Sequence, residues 1–490
     1  MIWLLLAVFT PLAGVLLLAL LPRAGAAGWA NLGFSALSLA GALGLATRVL
    51  RHGVLDAHGF RVDAFNVYLV VLTTFVGLTT AVFSRPYMYY VHTDEKRVSA
   101  RGMRLYHSMY QGFLFTMLLA LTTDNLGILW VAVEGATLAT VLLVSLYRTP
   151  AAIEAAWKYF ILCTVGISLA LMGLILLYYS AIHSHSAADS ATLYWSNLAK
   201  IAGKLNPNIL LLSFVFTLIG YGTKVGLAPM HTWLPDAHSE APSPVSAILS
   251  GMLLNGAMYG VIRAHTLVLR RMGPGISDHL LLYFGLASLG VAVPFIIRQR
   301  DFKRLLAYSS VEHMGIVAIG LGLGTPLAIF GALLHTLYHS LVKSTMFMSV
   351  GNVLLKYKTR EITQVSGVLK SLPVTGPVMI LGAFAIAGAP PFGLFLSEFT
   401  ILEAGFKSGQ FLPSALMLAA IVLIFAGMGR HFSLMAFGGL PAEVSVGETS
   451  SWNWLPIVVF LILAACLGLY LPPLLVKALH QIVAIVQGTP

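Results

Sequence analysis

Gly220-Tyr221-Gly222-Thr223-Lys224-Val225-Gly226-Leu227-Ala228-Pro229-Met230-His231-Thr232-Trp233-Leu234-Pro235-Asp236 is a hydrophobic span interrupted by glycine and proline, with a lysine just before the break. A second interruption, Gly388-Ala389-Pro390-Pro391-Phe392-Gly393-Leu394-Phe395-Leu396-Ser397-Glu398, falls in register with it: proline, aromatic, leucine and carboxylate recur in order. Proline removes an amide donor and clashes with the preceding turn, so each stretch reads as a helix that stops and restarts. In lipid such a break survives only where protein or a hydrated cavity satisfies the freed backbone. Paired breaks at Pro229 and at Pro390 and Pro391 point to a transport site. An odd number of spans between them makes the two halves inverted in the membrane. Two unrelated kinks are the plainer alternative, and the shared register weighs against it.

The 490 residues are 58% hydrophobic and 10% charged, with a mean hydropathy of +0.87. A soluble domain is about a quarter charged, so the solvent here is lipid. At about 20 apolar residues per crossing, roughly fourteen spans fit the chain. The fold class is all-α, a polytopic membrane protein; continuous apolar runs argue against a β-barrel. The run from Ile2 to Leu21 has no basic flank or small-residue cleavage pattern and reads as a retained helix. Two cysteines, Cys163 and Cys466, cannot build a disulfide scaffold, a zinc site or an iron–sulfur site. The net charge of +11 is spread over short loops, which excludes nucleic acid as a partner. The largest loops, near 85–106 and 180–207, are too short to house a nucleotide or redox centre. Alternate loops hold most of the 29 Lys and Arg residues, led by Arg85, Lys96, Arg97, Arg101 and Arg104, and by Lys356, Lys358, Arg360 and Lys370. That asymmetry places both termini outside the cytoplasm.

Charges kept inside such a chain demand a reason, since each costs about 2.5–3.5 kcal/mol at mid-bilayer. Glu134 lies mid-span with apolar residues on either side, a buried carboxylate that either packs or exchanges a proton. Lys224, before the first break, either caps helix carbonyls or forms with Glu134 a pair whose proton affinity depends on their separation. His335, His339 and Lys343 fall at i, i+4 and i+8 on one helical stripe. Two histidines at that spacing also suit zinc, but no carboxylate or cysteine adjoins them in sequence. A proton wire is therefore preferred, and no metal is expected. Glu398 sits too deep past the second break to act as a cap. Lys303 opens a span as an anchor or as the start of the second half's polar path, which Glu312 and His313 extend. Asp236, His238 and Glu240 line an entrance. Together these side chains form a polar string through an apolar bundle.

The run from Thr223 to His238, followed by Ala241-Pro242-Ser243-Pro244-Val245-Ser246, is similar to the signature of the antiporter-like subunits of respiratory complex I, Na⁺/H⁺ antiporters and membrane-bound hydrogenases. Asp301-Phe302-Lys303-Arg304-Leu305-Leu306-Ala307-Tyr308-Ser309-Ser310-Val311-Glu312-His313-Met314-Gly315 resembles the hydrogenase-4 component F branch, of the formate hydrogenlyase type. The resemblance spans roughly residues 60–440. It implies fourteen helices: three over 1–105, inverted five-helix repeats over 106–267 and 279–437, and a last helix in 450–490. It matches Glu134, Lys224, Lys303, the His335/His339/Lys343 stripe and Glu398 to the family's proton path. Asn255 stands where many relatives carry a lysine, which breaks a direct lysine-to-lysine relay. The chain also ends soon after its last span, without the lateral helix of the most distal complex I subunit.

The expected function is a proton-translocating subunit of a redox-driven complex in a prokaryotic inner membrane. No redox cofactor or catalytic residue is expected in this chain. Partners would be other antiporter-like and small membrane subunits and a soluble peripheral arm with iron–sulfur clusters, and a nickel–iron centre where that arm is a hydrogenase. The alternatives are a Na⁺/H⁺ antiporter subunit without a redox partner, a non-transporting membrane anchor, and a subunit coupling proton flow to inorganic-carbon uptake.

Overall fold

The computed structural model describes residues 1–21, 24–184 and 193–488; the middle of the 180–207 loop, residues 185–192, lies outside them. The first part of the chain holds α1 (Ile2–Leu20), α2 (Ala24–His52), a hairpin of β1 (Leu55–Ala57) and β2 (Phe60–Val62), α3 (Ala64–Thr93), α4 (Ala100–Thr122), α5 (Leu126–Val144) and α6 (Pro150–Ile182). Next come α7 (Trp195–Ile201), α8 (Pro207–Val225), α9 (Trp233–Glu240), α10 (Ser243–Ile248), a π-helical turn at Leu249–Leu253 and α11 (Leu254–Met272). The rest comprises α12 (Ile276–Ile297), α13 (Phe302–Gly322), α14 (Pro326–Tyr357), α15 (Val368–Ser371), α16 (Thr375–Ile386), α17 (Gly393–Lys407), α18 (Phe411–Ala436), α19 (Ser451–Leu469) and α20 (Pro473–Val486).

Helix starts follow from local chemistry. Thr149-Pro150, Asn206-Pro207 and Thr325-Pro326 each put a capping side chain before a proline at the first helical position, opening α6, α8 and α14. Asp63 caps α3 in a reciprocal box with Asn66. Gly226, at φ +81°, ends α8 directly after Lys224 and Val225. The chain resumes as α9 at Trp233, and an equivalent gap separates α16 from α17. Both breaks carry a cis proline, at Ala228–Pro229 and Pro390–Pro391.

Among the described residues, eleven helices are long and apolar enough to cross a membrane. Helices α4 and α14 have the length but carry more polar side chains, and α16 with α17 is a broken pair. These account for the difference from fourteen. The C-terminal segment differs from a single last helix: Pro472 and Pro473 divide it, and α20 packs Leu479, Ile482, Val483 and Val486 inward.

The bundle is layered. The Ser243–Met272 and Phe302–Gly322 spans are enclosed over most of their length, whereas much of α18 is at the surface. Helix α14 runs through the centre, packing on α10, α13, α16, α17 and α19. Small residues set the closest approaches. A Cβ on Gly220 would strike the Ala170 amide and Gly166 carbonyl, so α8 lies tight on α6. Gly285 and Gly315 do the same for α12 and α13.

Candidate functional site

Glu134 is half-buried rather than enclosed, on the α5 face that also carries the exposed Val131 and Leu138. Thr164 of α6 donates to its Oε1 at 3.1 Å, and Thr137, one turn along α5, donates to its Oε2 at 3.1 Å. Lys224 is 1% exposed, and its ammonium donates to the same Thr137 hydroxyl. Among the described residues, no ion pair within 4.0 Å joins Lys224 to Glu134. Thr137 stands between them, accepting from the lysine, with its own proton shared between the carboxylate at 3.1 Å and the Val133 carbonyl at 3.3 Å. The ammonium also sits 4.9 Å from the centre of the Tyr159 ring, beside Cys163.

Lys303 is enclosed and donates to the Ala241 carbonyl and, at 3.2 Å, to that of Ser239. It thereby satisfies the C-terminal carbonyls of α9. Around it, Arg360 pairs with Glu240 at 2.7 Å, while Asp236 pairs with Arg304 at 2.8 Å and Lys158 at 3.3 Å. Asp236 and Glu240 are thus tied into a charged rim at one end of the bundle. His238 turns inward instead, fully enclosed and stacked on Phe347 at 4.9 Å. Neither of its ring nitrogens has a hydrogen-bond partner among the described residues, and Lys303 and Lys343 are both within electrostatic reach.

The stripe on α14 does not bond along itself. Lys343 donates to the Leu306 carbonyl at 2.6 Å, and Glu312 is the carboxylate that faces it electrostatically. Among the described residues, His339 has no hydrogen-bond partner on either nitrogen. His335 instead bonds sideways: Nε2 is 3.0 Å from Nδ1 of His313, and Nδ1 is 2.9 Å from Oγ of Ser397. Ser397 spends its own proton on the Leu394 carbonyl at 2.9 Å, so its oxygen accepts from His335 Nδ1. This assignment leaves His335 Nε2 accepting from His313 Nδ1. In this tautomer His313 Nε2 carries a lone pair, buried and without a hydrogen bond among the described residues, on a ring that the Ile386 carbonyl approaches. A proton taken up there can pass through the His313 ring to His335, which Ser397 holds in orientation.

Glu398, 4% exposed, lies beside this relay. Gly388, at φ +76°, makes room for it, since a Cβ there would overlap the carboxylate. His313, His335 and Glu398 offer donor atoms within 4.8 Å of one another. The carboxylate that sequence spacing does not place near the histidines thus arrives from α17. The three could hold a cation only if His335 gave up its bond to His313 or to Ser397.

Asn255, in α11 beside the π-helical turn, donates to Ser340 Oγ at 2.7 Å and to the Gly251 carbonyl at 3.0 Å. Ser340 adjoins His339 on α14, and Ser250 pairs with Ser310 of α13 at 2.9 Å. The halves therefore meet through hydroxyl and amide groups. Thr137, Thr164, Ser340 and Ser397 escape a search for ionisable residues. Thr137, three residues after Glu134, and Ser340, three before Lys343, share helical faces that sequence could have shown.

Residues 123–424 match the family described as NADH:quinone oxidoreductase/Mrp antiporter, TM. The chain is 42% identical over 474 residues to a hydrogenase-4 component F homolog of Methylacidiphilum infernorum (isolate V4), covering 95% of this chain and 96% of that protein. Its fold is similar to a chain in the structure of the membrane-bound sulfane sulfur reductase, an archaeal respiratory membrane complex, with a TM-score of 0.87, 24% identity and 99% of each chain covered. It is also similar to a chain in the Mrp complex from Dietzia sp. DQ12-45-1b, with a TM-score of 0.85, 19% identity and coverage of 98% and 96%. The chain belongs to this family, as an antiporter-like membrane subunit of the hydrogenase-4 component F type.

Proposed function

We propose that this subunit translocates protons within a redox-driven membrane complex of the hydrogenase-4 type. The observation that carries the reading is the Lys224–Thr137–Glu134 bridge, a lysine and a carboxylate joined through one hydroxyl. Moving α5 against α8 would make or break it and change where the proton rests. In the second half, Lys343 with Glu312, and then His313, His335 and Glu398, continue the path, with Ser397 holding His335 in orientation. Asn255 and Ser340 connect the halves, and water carries the step from Lys224 to Asn255. Lys303 supports the fold of the charged rim. Electron transfer belongs to a peripheral arm with iron–sulfur clusters, and with a nickel–iron centre where that arm is a hydrogenase. Both termini lie outside the cytoplasm.

The ion is H⁺ in preference to Na⁺. Hard cations want oxygen ligands, whereas two of the three clustered donors are imidazoles. Purification with native partners, followed by mass spectrometry and iron and nickel analysis, tests the redox assignment. Small hydrophobic partners without metal would sink it in favour of the antiporter. Reconstituted in vesicles, the assembly is expected to move protons, while Lys224→Met and Lys343→Met assemble without doing so. Unimpaired pumping by both would leave only the membrane-anchor reading.

A further inference from the structure

A cavity of about 860 Å³ opens between the start of α4, the second half of α5 and the first turns of α6. Its lip carries Lys96, Arg97 and Arg148, and no carboxylate lines it. Arg97 is partly occupied, 3.7 Å from Glu95 and over the Tyr147 ring at 4.0 Å. The side chains of Lys96 and Arg148 have no hydrogen-bond or ion-pair partner among the described residues, and both are exposed. Both also hold left-handed backbone, at φ 53° and 54°, which is unfavourable for a residue with a Cβ. Ser99, the N-cap of α4, lines the same rim, where helix amides favour negative charge. Below the lip the wall is apolar and exposed: Leu138, Leu142, Ile153 and Trp157, all on membrane-spanning helices.

We infer that this groove binds an anionic glycerophospholipid, its headgroup on Lys96 and Arg148 and its acyl chains along α5 and α6. The charge complementarity is one-sided, and a bilayer presents anionic headgroups above hydrocarbon in that same arrangement. A helix of a neighbouring subunit is the competing occupant. The inference does not depend on the ion that the subunit moves.

The test is native mass spectrometry of the purified complex titrated with dioleoylphosphatidylglycerol or dioleoylphosphatidylcholine. A basic residue at an anionic headgroup contributes roughly a fivefold factor. The Lys96→Gln/Arg148→Gln double variant should therefore bind phosphatidylglycerol roughly 25-fold more weakly, with phosphatidylcholine unchanged. Arg148→Lys keeps the charge and should retain binding, which separates loss of the site from loss of the fold. Equal phosphatidylglycerol affinity in wild type and double variant would overturn the inference. So would a cross-link from Leu142→Cys to a partner subunit's helix in the intact complex.

Discussion

Lys224 and Glu134 are coupled through the hydroxyl of Thr137, not by contact. One hydroxyl accepts from the ammonium and donates to the carboxylate, so a proton can leave the lysine and another reach the glutamate in one concerted shift. A direct buried salt bridge would instead hold both charges in place. Removing either partner of such a pair is strongly destabilising.

Thr137→Val keeps the shape and deletes the relay. Proton translocation by reconstituted vesicles, followed with a pH-sensitive dye, should fall at least tenfold, and stability by about 1–3 kcal/mol for the unsatisfied ammonium. Thr137→Ser should retain most of the activity. Full pumping by the valine variant would show that the lysine communicates by another route.

The two histidines of the α14 stripe should separate. His335→Gln and His313→Gln interrupt the chain to Ser397 and should abolish most translocation. His339→Gln removes no hydrogen bond and should cost less. Equal effects at all three positions would restore a path running along the stripe.

Asn255→Leu deletes the bonds to Ser340 and Gly251 that join α11 to α14. Assembly, judged by size-exclusion profile, should persist while translocation falls several-fold. Asn255→Gln, which can still donate, should recover part of the rate.

Arg263 pairs with Asp63 at 2.7 Å, both side chains nearly enclosed, and it lies over the Trp195 ring at 4.3 Å. Arg263→Ala strands the carboxylate and should destabilise the fold by about 3–5 kcal/mol, read as a lowered thermal unfolding temperature in detergent. The Asp63→Asn/Arg263→Ala double variant, which keeps a capping side chain on α3, should unfold above the single one, because no buried charge is left alone. A double variant no more stable than the single would assign the loss to packing.

Much of this protein was legible in one dimension because lipid makes composition decisive. Apolar runs, the cap-and-proline starts of α6, α8 and α14, and the Gly226 stop are local, and each acts through its own backbone. Lys224, Glu134 and the α14 stripe stood out because charge is rare in such a chain. Glu312 and His313 were visible too, but only as additions to the path. Their standing rises once α13 is packed on α14, which bonds His313 to His335 and brings Glu312 within electrostatic reach of Lys343.

The sequence alone determined that the chain is helical, crosses a membrane, breaks two helices with proline and keeps ionisable groups where they are costly. Those properties depend on side-chain transfer energy and backbone stereochemistry, which neighbours in space do not alter. Tertiary structure alone decided which groups meet: Thr137 between Lys224 and Glu134, Ser397 beside His335, Glu398 beside both histidines, and Lys303 on the carbonyls of α9. Hydrogen bonds act over about 3 Å. Which side chains come that close depends on the mutual packing of helices far apart in the chain.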